Sequence, residues 1–248
     1  MLTINVGFAL STIGAREEAL REIETGIAKA DAIGSSGAVR HGKMILLCWV
    51  ATFGPDPRLD AALAEPRATA DETSGGGWVL HDRATLGLLF YRGLELLKSD
   101  PSAISRARSL LKIAADAYRA SDNRDVLPVA LGFWAEAERR SGHAEQAVEI
   151  AREAAALVEG GAPSLLNEGP IYLALHDASV DIGDLAGART AMERAMTPLV
   201  RRLRGLEGTP YTRAFLFNLP HNAGLLAAAE AYGCVPPEVD TILHANAA

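Results

Sequence analysis

Gly142-His143-Ala144-Glu145-Gln146-Ala147 and Gly183-Asp184-Leu185-Ala186-Gly187-Ala188 have the same layout, each setting a glycine five places ahead of an alanine. Gly14 and Ala19 repeat the arrangement near the start, and Ala107 takes the alanine's place one such interval ahead of Ala147. A second small residue follows each alanine by seven: Gly26, Ala114, Ala154 and Ala195. The stretch from Ala19 to Ala107 has room for two intervals, with the middle alanine expected near Ala61 or Ala62. A glycine at these points ends one helix in a left-handed cap and lets the chain reverse. An alanine early in the returning helix lets two backbones approach closely, and the position seven further on lies on the same face two turns later.

The rest of the chain fits that frame. Ala, Leu, Glu and Arg dominate, and apolar residues recur at three and four positions rather than alternating, which is the helical period. Breakers such as Gly34 to Gly37, Gly54 to Pro57, Gly75 to Gly77, Asp100-Pro101, Gly160 to Pro163 and Gly233 to Pro237 divide it into about ten helical segments. A helix pair alone leaves an apolar stripe uncovered, and stacking pairs side by side covers it. The expected fold is therefore all-α: one domain over residues 1–248, an α-solenoid of about five antiparallel helix pairs with C-terminal capping helices. The expected repeats are 1–34, 37–74, 78–121, 123–160 and 163–207, with a cap over 209–245. Met1 leads almost directly into the first helix with no capping turn, which favours a chain that lacks an upstream neighbour.

Composition narrows the function. The 248 residues carry 24 Lys and Arg against 31 Asp and Glu, a net charge of −7, which argues against binding nucleic acid through its phosphates. Only Cys48 and Cys234 occur, each beside apolar neighbours, so a disulfide-stapled scaffold is excluded. No Lys or Arg precedes the apolar start, so a secretory signal is not indicated, and the longest apolar run, Met44 to Phe53, is about half a bilayer span. A cytoplasmic location is the default expectation.

On these residues the chain resembles the tetratricopeptide-like repeats. Asn5-Val6-Gly7-Phe8-Ala9-Leu10, then Gly14 and Glu17-Glu18-Ala19-Leu20, is similar to that family's first helix, turn and second helix. Leu86-Gly87 with Phe90 resembles its Leu-Gly and aromatic positions. The period, about 41 residues from one alanine to the next, is closer to the longer variant carried by large bacterial ATPase-linked regulators. Arg213-Ala214-Phe215-Leu216-Phe217-Asn218-Leu219-Pro220-His221-Asn222 resembles the closing segment of such regions. The resemblance implies a concave groove lined by one face of each first helix, here Phe8, Trp49, His81, Tyr91, Arg92, Glu136, Arg139, Arg140, Asp177 and Asp181. That mixture suits a peptide or partner helix held by aromatic anchors and paired charges. A place in the core between repeats is the competing reading for Phe8 and Trp49.

Other motifs weigh little. Gly37-Ala38-Val39-Arg40-His41-Gly42-Lys43-Met44 is a phosphate loop with Met44 where the magnesium-binding hydroxyl belongs, and a helix rather than a strand precedes it. His176, Asp177, Asp181 and Asp184 are the nearest approach to a metal cluster, but a solvated acidic face with Asp184 capping a helix explains them better. The run Arg201, Arg202 and Arg204 reads as a solvated helix end that complements the dipole. No nucleophile constellation appears, and no cofactor or metal is called for. The expected function is thus non-enzymatic: a module that binds a protein or peptide partner, directly contacting neither nucleic acid nor membrane. The alternative is a ligand-sensing segment of a larger regulator that responds to a small inducer. A compact globule of this length has a radius of gyration near ~18 Å, so scattering from a row of hairpins should return a distinctly larger value.

Overall fold

The computed structural model describes residues 1–73, 83–121, 125–162, 164 and 166–245, and among them the chain is helix and turn with no strand. It divides into two compact units, Met1–Asp122 and Asn123–Ala248, between the third and fourth expected repeats. The first unit holds α1 (Leu2–Thr12), α2 (Arg16–Ala32), α3 (Ser36–Phe53), α4 (Asp60–Thr73), α5 (Arg83–Ser99) and α6 (Ile104–Ala120). The second holds α7 (Leu127–Arg140), α8 (Ala144–Glu159), α9 (Gly169–Asp181), α10 (Leu185–Arg204), α11 (Tyr211–Phe217), α12 (Pro220–Tyr232) and α13 (Pro237–Ala245). Within each unit most consecutive helices pack together, as do the alternate pairs α1 on α3, α3 on α5, α7 on α9 and α10 on α12, and α9 also packs on α12.

The glycine turns form as their spacing predicts. Gly142 and Gly183 have φ of +85° and +79°, a region that a side chain would strain. Around Gly183, the Asp184 N–H donates to Ser179 O (2.8 Å) and the Gly183 N–H to Val180 O (3.0 Å), the paired bonds of a Schellman cap. His143 to Glu138 and Gly142 to Arg139 repeat the pair one hairpin earlier, and Ala15 to Leu10 with Gly14 to Ser11 does so at the first turn. Asp184 then caps α10, its Oδ1 accepting from the Gly187 N–H at 2.8 Å.

The small residues sit where helices touch. Ala19, Ala107, Ala147 and Ala188 are wholly buried, as are Ala114 and Ala154 two turns further on. A Cβ added at Gly7 would stand 2.6 Å from Ile23 Cγ1 and 2.9 Å from Ala19 O, and one added at Gly26 would stand 2.9 Å from Ile4 N. Positions 4 and 7 of α1 thus meet 26 and 23 of α2 in descending order, which makes the pair antiparallel. In the second unit Gly132 of α7 lies against the backbone of Ile171 in α9, 3.0 Å from its Cα by the same measure.

One position departs from expectation. Ala61 and Ala62 face outward, and Leu63 with Ala70, seven later, takes the buried places. Leu63 lies midway between Ala19 and Ala107. The cause is a different turn. Asp56-Pro57-Arg58 opens a short 3-10 segment in which Asp56 Oδ1 accepts from the Arg58 N–H (3.0 Å), and Asp100-Pro101-Ser102 does the same for Ser102 (2.9 Å). These Asp-Pro turns, each seven places before Leu63 or Ala107, stand where other hairpins place a glycine five ahead; at the first of them Gly54 still ends α3, with φ of +99°. Where alanine does mark the close approach, a larger side chain overpacks the helix pair. Ala147→Leu and Ala188→Leu should each lower unfolding free energy by roughly 1–3 kcal/mol, read as a shift in urea midpoint at unchanged m.

Candidate functional site

The first unit scatters the expected groove residues. Trp49 on α3 is fully buried: its Nε1–H donates to Arg16 O (2.9 Å), its ring meets Phe53 at 5.5 Å, and the Arg16 guanidinium lies over it at 5.3 Å. Trp49 is therefore a core residue that fastens α3 to the start of α2 and offers a partner nothing. Phe8 on α1 is half-buried. Tyr91 on α5 is buried beside the Cys48 thiol of α3. Its neighbour Arg92 is spent on an ion pair with Glu95 (2.6 Å) and another with Asp71 of α4 (3.2 Å). His81 lies outside the described residues.

The second unit brings the others together. Glu136, Arg139 and Arg140 stand in the last turns of α7, and Asp177 and Asp181 at the end of α9, against which α7 packs. Arg139 grips Glu136 with two bonds, Nε to Oε2 (2.8 Å) and Nη2 to Oε1 (3.0 Å). Its Nη1 donates to Asp181 Oδ2 (3.1 Å), and Asp177 Oδ2 lies 3.9 Å from Nη2. The hydrogen bonds it donates to Glu136, ahead of the opposing cost of burial, raise the guanidinium's pKa still further, so it is permanently charged. The step from Glu136 to Asp177 equals that from Arg140 to Asp181, and both equal the step from Ala147 to Ala188. Arg139 is what joins them, tying the last turn of α7 to the end of α9. Arg140 and Asp181 are exposed at the edge of this patch.

His176 and Tyr232 extend the face. His176 Nδ1 is 2.7 Å from Asp177 Oδ1, and because a carboxylate only accepts, that nitrogen carries the proton. Its ring meets Tyr232 of α12 edge-on at 5.7 Å, and Phe133 of α7 meets His221 of α12 at 5.1 Å. Spacing gave no hint of these aromatic pairs, since they join elements distant in sequence.

Three buried carboxylates also escaped sequence reasoning. Glu95 is held by Arg67 and Arg92, with Asp71 shared between Arg92 and Arg106. Glu138 accepts from Trp134 Nε1 and His143 Nδ1, both at 2.8 Å. Glu168 takes Arg202 at 2.6 Å and Arg201 at 3.1 Å, while Arg202 Nη2 also donates to the carbonyls of Leu166 (2.7 Å) and Ser164 (3.2 Å). Arg202, with help from Arg201, thus clamps the start of α9, while Arg201 and Arg204 themselves stay largely exposed, as a solvated helix end would be.

The motifs set aside above have plain structures. Gly37 to Met44 is the first half of α3, with Gly42 packed on Ile27 and Lys43 paired with Glu65 at 2.5 Å. Both cysteines are free thiols, Cys48 buried and Cys234 half-buried. Among the described residues no three His, Cys, Asp or Glu side chains are arranged to hold a metal ion, and no helix is long and apolar enough to cross a membrane. Comparison of the chain with protein-family models, curated proteins and solved structures finds no match.

The groups around Tyr91 make a pH dependence. Burial pushes the Lys98 amine down to about 8 from 10.5, and pushes the Cys48 thiol up to about 11 from 9.0. Between pH 8 and 10.5 the folded chain binds fewer protons at Lys98 than the unfolded chain, so this residue's penalty is full below 8 and relieved as pH rises. Wild-type stability relative to Lys98→Met should therefore increase from pH 8 to 10.5, by at most about 1.4 kcal/mol per pH unit. Urea melts of both proteins across that range measure it.

Proposed function

We propose that this chain is a non-enzymatic, tetratricopeptide-like interaction module, an α-solenoid of about five antiparallel helix pairs with capping helices, which binds a peptide or partner segment. Within each unit the reading draws support from hairpins that turn at regular intervals and from alternate helices that pack in a row. The observation that carries it is the patch at the ends of α7 and α9. There, charges of both signs from the ends of two packed helices meet through Arg139, with Arg140 and Asp181 open to solvent.

Such a surface recognises an extended or helical segment by pairing charges along its length, with the half-buried rings of His176 and His221 and the ring of Tyr232 as apolar contacts. Arg139 contributes by holding the carboxylates of Glu136 and Asp181 in fixed positions, so little ordering entropy is left to lose on binding. A catalytic role has no support from any constellation among the described residues.

The test is selection from a displayed random-peptide library on the intact chain. Enriched peptides should perturb backbone amide signals of α7 and α9, and Asp181→Arg combined with Arg140→Glu should weaken them at least tenfold while leaving the fold unchanged. Peptides that bind both proteins equally, or perturb signals elsewhere, would overturn the assignment.

A further inference from the structure

A second concave surface lies in the same unit but on different helices. It is a cleft of about 530 Å³ between the side of α10 and the link from α12 to α13. Met196, Val200 and Pro236 supply its apolar walls, and Cys234 lines it as well. Arg201 and Arg204 stand on its rim, one helical turn apart.

These two arginines have capacity to spare. Among the described residues Arg201 uses Nη2 on Glu168 (3.1 Å), and Arg204 uses Nη2 on Glu238 (3.2 Å). Both side chains are well exposed, at 65% and 61%. A guanidinium has five donors, so most of each fork stays open to the cleft. The other acid on the rim, Glu193, is engaged by Arg189 at 2.9 Å. The end of α10 thus brings three guanidiniums, Arg201, Arg202 and Arg204, to the two carboxylates they pair with, Glu168 and Glu238. That leaves a local surplus of positive charge inside a unit whose acidic residues outnumber its basic ones, 16 to 10.

We infer that this cleft binds a small organic carboxylate with an apolar body. The arginine forks take the carboxylate, the geometry for which they are best matched. The body lies along Met196, Val200 and Pro236, in a volume within the usual range for small-molecule sites. The inference stands apart from the peptide-binding reading, since it uses none of the residues at the ends of α7 and α9. It gives the sensing alternative a definite place on the molecule.

Cys234 is a built-in reporter, because it lines the cleft while the other thiol, Cys48, is buried in the first unit. The experiment measures alkylation of Cys234 by iodoacetamide on the native chain, with Cys48 labelling followed by mass spectrometry as a control for unfolding. Millimolar octanoate should slow Cys234 alkylation at least threefold and leave Cys48 unlabelled. Acetate, which lacks the body, and 1-octanol, which lacks the charge, should each change it less than 1.5-fold. Arg201→Gln combined with Arg204→Gln should abolish the octanoate effect. Unchanged alkylation in wild type, equal protection by acetate or octanol, or protection that survives in the double variant would overturn the inference. The wild-type comparison stands whether or not that variant folds.

Discussion

Two helices can lie side by side only as closely as their side chains allow, and in this chain the closest approaches fall on glycine and alanine. Ile4 enters the space left by Gly26, and Ile23 the space left by Gly7, so each large side chain fills the gap beneath a missing one. The turn glycines make reversal feasible, but a reversed chain with large residues at 19, 147 or 188 would hold its helices apart. Alanines bury little area themselves. Their value lies in bringing the leucines and aromatics of the next row into contact, as Gly93 does by letting α5 settle onto Leu110 and Leu111 of α6.

Packing of this kind constrains distance better than it constrains register, because an apolar stripe accepts several alignments. The buried carboxylates remove that freedom. Glu95 is satisfied only where Arg67 of α4 and Arg92 of its own helix converge, and Glu168 only where the end of α10 reaches the start of α9. A slip by one turn would leave a charge buried and unpaired, which costs far more than the pair contributes. Small residues set the spacing, and ion pairs fix the alignment.

This division explains what the sequence disclosed. The Gly142-to-Ala147 and Gly183-to-Ala188 intervals were legible because turn and close approach are both local demands on single residues. The hairpin after α3 escapes the pattern because Asp56-Pro57 follows Gly54 and shifts the offset, so that Leu63 takes the buried place of the alanine. Matching Asp56-Pro57 to Asp100-Pro101, two turns of the same composition, would have found it. Of the expected groove residues, Glu136, Arg139, Asp177 and Asp181 come together near the ends of neighbouring helices. Trp49 does not join them, since periodicity gives a helix face but cannot say whether another segment covers it; Arg16 does. The clamp on Glu168 joins the start of α9 to the far end of α10, a contact too distant along the chain to leave a local trace.

The two units solve their charge problem differently. All four lysines lie before position 123, whereas Asn123–Ala248 holds ten arginines, no lysine and sixteen acidic residues. A guanidinium can satisfy several acceptors at once, which an ammonium does with less geometric precision. Arg139 serves Glu136 and Asp181, Arg194 takes both oxygens of Glu159, and Arg202 ties Glu168 to two backbone carbonyls. Forks of this kind hold together a unit with an excess of acid, and the excess is what approaching molecules meet first. By the proposed reading it would favour the approach of a cationic segment. At the end of α10, by contrast, three guanidiniums face the two carboxylates they pair with, the charge on which the inferred acid-binding cleft relies. The proposed face for a charged segment and the inferred cleft for a small acid would thus share a single unit without competing for the same ligand.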